Sequence, residues 1–152
     1  MKDADQVLVF NLDERQYALR LSAVKRVVRA VEVTPLPKAP EIVLGVVNLQ
    51  GRIIPVFDLR SRFRMPKREI NLSDQLIVAH TTTRVVALIV DSVMGVVGVP
   101  DREMVGAHSI LPDLEYVEGA FKLEDGVILI HNLDKFLSLE ETNALDEVMP
   151  QT

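Results

Sequence analysis

Residues 6–28, QVLVFNLDERQYALRLSAVKRVV, return as residues 75–97, QLIVAHTTTRVVALIVDSVMGVV, at an offset of 69 and without a gap. Gln6 aligns with Gln75, Val9 with Val78, Arg15 with Arg84, Ala18 with Ala87 and Leu19 with Leu88. Leu21 then aligns with Val90, Ser22 with Asp91, Val24 with Val93, Val27 with Val96 and Val28 with Val97. A second block follows at an offset of 74, where Gly45 to Leu49 matches Gly119 to Leu123 and Ile53 to Leu59 matches Val127 to Leu133. An internal repeat constrains architecture more firmly than any single propensity. This one divides the chain, read as a single domain over 1–152, into two pseudo-repeats at about 6–59 and 75–133.

Within each repeat the period of the apolar residues predicts strands. Val7-Leu8-Val9-Phe10 and Leu76-Ile77-Val78-Ala79 are short apolar runs, while Tyr17 to Leu21 alternates, with Arg20 pointing away from Leu19 and Leu21. Asp13-Glu14 and Thr81-Thr82-Thr83 mark turns. Ser22 and Asp91 stand where a side-chain oxygen caps one helical turn before extended structure resumes at Val27-Val28 and Val96-Val97. Gln50-Gly51 and Asp125-Gly126 each split two apolar stretches into a hairpin, Asp-Gly being the stronger signal because glycine accepts positive φ. Pro35, Pro37 and Pro40 make their segment a connector rather than a central strand or helix interior, since proline lacks the backbone donor.

Residues 60–73 turn polar and basic, with Arg60, Arg62, Arg64, Lys67 and Arg68, and read as an exposed, solvated link between the halves. Leu133, Phe136 and Leu137 then take helical spacing. Ser138 and Glu141 have the form of a capping box opening a C-terminal helical tail, 134–149, with Leu139, Thr142, Leu145 and Val148 or Met149 inward.

Composition narrows the function. A chain of 152 residues can bury roughly 68–70% of its unfolded surface. With aromatics at 5% and no Trp, its core must come from Val, Leu and Ile, which favours an all-β, mainly strand, fold with short helices. The absence of Cys removes disulfides, thiolate nucleophiles and Cys-ligated zinc, and suits a reducing compartment. No apolar run reaches the roughly 18 residues of a membrane span and residues 1–6 lack a signal-peptide core, so a cytoplasmic protein without membrane insertion is expected. A net charge of −5 argues against a general nucleic-acid surface.

Chemistry is scarce. His80, His108 and His131 lie far apart, without metal-ligand spacing, and each reads as a surface or edge-strand residue. No Gly-x-Ser-x-Gly and no phosphate-binding glycine pattern occurs. Glu124-Asp125 and Glu140-Glu141 sit on a turn and a helix start, where carboxylates stay solvated. No catalytic residue, cofactor or metal is expected, and the chain is read as a non-enzymatic protein that docks others, with the seam between its halves as the docking groove.

Gly45-Val46-Val47-Asn48-Leu49-Gln50-Gly51-Arg52-Ile53-Ile54-Pro55-Val56-Phe57-Asp58-Leu59 resembles the G-x-x-N-L-R-G-x-x-[IV]-P-[IV]-x-D-L block of the CheW-like family of chemotaxis coupling proteins. Leu8-Val9-Phe10, Tyr17-Ala18-Leu19, Ala23-Val24, Val90-Asp91-Ser92-Val93 and the segment from Gly119 extend the resemblance over about residues 6–139. It implies two intertwined, five-stranded, SH3-like β-barrel subdomains in the stand-alone form of the domain. It also implies an adaptor that couples chemoreceptors to the regulatory domain of a CheA-type histidine kinase. The receptor signalling tip, a helical hairpin, would lie in a groove to which Val24, Val27, Val33, Gly45, Val93 and Val96 correspond. Two positions depart from the pattern: Arg26 stands where the family usually has an acid, and Gln50 where it has arginine.

Such an exchange alters which charges attract and which reject a partner, so the resemblance points to a divergent or accessory chemosensory system. Two rival readings remain. One is a self-associating array scaffold joined through exposed strand edges. The other is a small SH3-like nucleic-acid-binding module, against which acidity and the lack of aromatic platforms count.

Overall fold

The computed structural model describes residues 5–100, 105–106, 117–123 and 126–149. Five strands belong to the first repeat: β1 (Asp5–Leu12), β2 (Arg15–Arg20), β3 (Val24–Arg29), β4 (Val43–Leu49) and β5 (Arg52–Phe57). A short helix α1 (Leu59–Arg62) opens the link. The second repeat supplies β6 (Gln75–His80), β7 (Val85–Val90), β8 (Ser92–Val99), a two-residue β9 (Val105–Gly106), β10 (Val117–Leu123) and β11 (Gly126–His131), and α2 (Leu139–Val148) follows.

The halves are exchanged rather than side by side. One sheet runs β8-β1-β2-β11-β10-β9 and the other β3-β6-β7-β5-β4, so the first hairpin of each repeat completes the sheet built by the later strands of the other. This is the intertwined, five-stranded pair that the resemblance implied, β9 being a short extra rung. Even the irregularities are duplicated. Register shifts leave Lys25 unpaired in β3 and its repeat counterpart Met94 unpaired in β8. The same holds for Leu44 in β4 and Glu118 in β10. Thr34 bridges Val46, and Val105 pairs with Val46's counterpart Ala120.

Among the described residues, three cores follow from the exchange. Val7, Val9, Ala18, Val99, Phe121, Ile128 and Ile130 fill one sheet's concavity, and Val47, Leu49, Ile54, Val56, Leu76, Val78 and Ala87 fill the other's. Between the sheets lies the largest cluster, in which Leu8, Phe10, Leu12, Leu19, Phe57, Leu59, Ile77, Ala79 and Leu88 meet Phe136 and Leu145. Odd residues of β1 therefore face one core and even residues another, as do even and odd residues of β6. That is why these two strands read as continuous apolar runs instead of alternating. The seam between the halves is thus, among the described residues, largely filled with side chains.

The turns form as expected. Asp13 and Glu14 take φ of 49° and 67°, and Gln50 and Gly51 take 54° and 83°, the left-handed pairs that fit a two-residue hairpin. Asn48 Oδ1 accepts the Gly51 amide at 2.9 Å. Residues 124 and 125 lie outside the described residues, so the Glu124-Asp125 turn and pair do as well. The proline segment is a connector carrying the single bridge at Thr34.

Three expectations are corrected. The turn at Leu21–Ala23 forms without a side-chain cap, and no helical turn forms at Asp91, because the Asp91 carboxylate is held by Arg60, Arg68 and the Asp13 amide. Arg60 is not part of a solvated link: it is 7% exposed and bridges Asp13 of the first repeat to Asp91 of the second. Arg62 and Arg68 are likewise engaged, by Glu141 and by Asp74 and Asp91, whereas Arg64, Lys67 and residues 69–73 are exposed. In α2 the capping box of Ser138 and Glu141 is present and Leu145 is buried, with Val148 and Met149 partly buried against the central core. Leu139, however, is 77% exposed. Six residues before Leu145, it is rotated about 120° from it around the helix.

Candidate docking groove

Among the described residues, each sheet ends in one of the strands that follow the first hairpins: β3 has only β6 beside it, and β8 has only β1. Opposite Val24 and Val27 on β3 stand Ala79 and Ile77, and opposite Val93 and Val96 on β8 stand Phe10 and Leu8. All four of these neighbours belong to the central core. Directly paired residues share a face of a sheet, so the four valines project from the inter-sheet sides of the two free edges. Val24, Val27 and Val93 are half-buried against the central cluster, while Val96 is 50% exposed.

Gln75 fastens the two rims at one end. Its backbone is paired with Arg29 of β3 while its Oε1 accepts the Val93 amide of β8 at 2.7 Å. Sequence reading used Gln75 only to anchor the repeat and missed this bridge. Its glutamine chemistry at a strand start carried no signal beyond the match to Gln6.

The remaining candidates lie apart from the valine face. Gly45 is buried under the connector, where an added Cβ would stand 2.2 Å from the Thr34 carbonyl oxygen and 2.9 Å from Val33 Cγ1. Val33 is half-buried over it, against the core of the second sheet. Gly45 presents no side chain to a partner, and its place is to let the connector close down. Gln50 is exposed at the β4–β5 turn. Arg26 is exposed on β3 opposite Val78, whose side chain fills the second sheet's own core, so it leaves the strand on the face away from Val27.

His131 is buried among Tyr17, Phe63 and Phe136, with ring centroids 5.6, 4.9 and 6.1 Å away, and burial pushes its pKa down to about 4. Its repeat counterpart is Phe57, also buried. His80 Nε2 lies 3.1 Å from the Ser22 carbonyl oxygen. His108 lies outside the described residues. Glu141 is held below the usual carboxylate range: burial acts to raise it, but the Ser138 amide and the Arg62 guanidinium outweigh that.

Two intertwined sheets fit the fold that the central block implied, and comparison with known proteins settles membership. The model of the CheW-like domain matches residues 6–141. The chain belongs to the CheW-like family. It is 31% identical to the chemotaxis protein CheW of Rhizobium meliloti (strain 1021), over 91% of each chain. It is 30% identical to that of Thermotoga maritima, over 87% of each. The crystal structure of the scaffolding protein TtCheW from Thermoanaerobacter tengcongensis superposes with a TM-score of 0.83 at 30% identity, covering 98% of this chain and 99% of that one. Membership in the CheW-like family makes this chain a chemotaxis adaptor that couples receptors to CheA.

Proposed function

We propose that the chain performs this coupling, in the cytoplasm and without catalysis of its own, by receiving the helical hairpin of a chemoreceptor signalling tip on the valine face between β3 and β8. A separate surface holds the regulatory domain of the CheA-type kinase. The observation that carries the receptor assignment is the placement of Val24, Val27, Val93 and Val96 on the inter-sheet side of two unpaired edges. An amphipathic helix lays its apolar stripe into such a surface. Burying one valine is worth roughly 1.5–3 kcal/mol before association entropy is subtracted.

Binding of a purified receptor-tip fragment and of a kinase regulatory domain to the parent and to Val27→Asp and Val96→Asp tests this. The tip should lose about ten-fold or more in affinity, given about 1.4 kcal/mol per decade, while the kinase domain binds as before. Unchanged tip binding by both variants would remove the groove assignment. Arg26 and Gln50 are assigned to partner choice, so Arg26→Glu with Gln50→Arg should gain affinity for a tip that suits the usual family pattern. No gain over the parent would defeat that part.

A further inference from the structure

The two rims of the groove are repeat counterparts with opposite chemistry. On β3 the exposed residues are Lys25, Arg26 and Arg29; at the matching positions of β8 stand Met94, Gly95 and Gly98. None of the three cations has an ion-pair partner among the described residues, and the carboxylate of Glu32 just beyond them forms no pair with them. Arg29 stands opposite Gln75 on the valine side and Lys25 at the bulge, whereas Arg26 leaves on the far face, and on a chain whose net charge is −5 this positive rim is local. β8 carries no charge over its eight residues and leaves Met94 57% exposed beside Val96.

We infer that the groove selects a helix acidic along one flank only: an apolar stripe for Val24, Val27, Val93 and Val96, Asp or Glu on the side facing β3, and uncharged residues on the side facing β8. This deepens the docking reading and rests on it. Arg29 and Val93 both bind Gln75, which brings the charged and uncharged rims to either side of one apolar floor. Cations along a free edge also discourage strand addition, which fits β3 to a helix rather than a strand. Methionine on the opposite rim supplies an adaptable apolar contact. Unlike charges across an interface fix orientation and partner more than they add affinity, so the asymmetry sets which way the helix lies.

Two synthetic helical peptides with one apolar stripe in common test this, one with Glu on a single flank and one with Lys at the same positions. Each is titrated by fluorescence anisotropy against the full chain at low and high salt. The Glu peptide should bind about five-fold tighter, as two exposed ion pairs allow, and the preference should vanish at high salt. It should invert in Lys25→Glu/Arg29→Glu and disappear in the milder Lys25→Gln/Arg29→Gln variant. Lys38→Glu/Lys67→Glu, elsewhere on the surface, should leave it intact. Equal binding of both peptides that is abolished by Val27→Asp overturns the inference and leaves the docking reading standing. Failure of either peptide to bind, with Val27→Asp indistinguishable from the parent, overturns both. Loss of the preference in the Lys38/Lys67 control overturns the inference by assigning it to overall charge.

Discussion

Gly45 in β4 and Gly51 in the turn belong to the same hairpin and obey different constraints. At Gly45 space decides, because the Thr34 carbonyl occupies the position of a Cβ; Gly45→Ala should cost about 3 kcal/mol through overpacking against backbone. At Gly51 space is open and only the φ of 83° matters, so Gly51→Ala should cost about 1 kcal/mol. Urea denaturation midpoints of the two variants check the ordering. His131 is the other residue whose environment decides its behaviour. Its folded pKa of about 4 lies below the ordinary 6.5, so between those values the unfolded chain takes up a proton that the folded chain refuses. Stability is therefore lost as pH falls from 6.5 to about 4, by about 3 kcal/mol in all. His131→Phe, which installs the residue of the twin position, should remove that slope. Denaturation curves of parent and variant across this range would expose any failure as parallel profiles.

Among the elements, α1 is the one whose role is least apparent from its length. Four residues long, it is capped by Asp58, whose side chain accepts the Ser61 amide, and it delivers Arg60 to carboxylates of both repeats. Burial acts to raise Asp91, but the Asp13 amide, Arg60 and Arg68 together hold its carboxyl below the ordinary value. Asp91 thus contributes stability that is present above its unfolded pKa and is lost as pH falls through the depressed folded one. Arg60→Ala should destabilise by about 2 kcal/mol at neutral pH, since it removes charge-assisted hydrogen bonds from a nearly buried side chain. The deficit should shrink below the carboxylate range, where Asp91 is protonated in both states. That window lies under the one assigned to His131, so the two effects separate in one series of melts. A deficit independent of pH would mean that packing of the Arg60 stem, not its charge, holds α1.

For the molecule taken whole, the exchange of hairpins makes the halves interdependent. β1 and β2 pair with β8 and β11, and β6 and β7 pair with β3 and β5, so neither repeat alone contains a closed sheet. Fragments covering residues 1–73 and 74–152 should each lack cooperative unfolding and should recover a native-like circular dichroism spectrum when mixed. Independent cooperative melts of either fragment would contradict this. The same exchange explains why the groove has two free edges: each first hairpin is covered on one flank by a strand from the other half, and that covering strand is left as the outer edge.

Periodicity, turn residues and the repeat offsets marked the strands, most hairpins, the capping box and the twofold plan, because those features depend on neighbours in the chain. The valines of the groove were legible as matched pairs, Val24 with Val93 and Val27 with Val96. What sequence did not show was set by residues distant in the chain. Asp91 looked like a cap until Arg60 and Arg68 came to it across the fold, and Arg60 looked solvated for the same reason. His131 looked like a surface or edge residue, yet the aromatic cluster buries it. Whether Val27 faces a partner or a core depends on which sheet its strand closes. By itself the sequence determined that this protein is two matched β units with apolar faces on both sides of β1 and β6, since side-chain alternation is a local property of extended chain. Only tertiary structure decided which hairpin joins which sheet, because pairing between distant strands fixes which edges are covered and which remain to receive a partner.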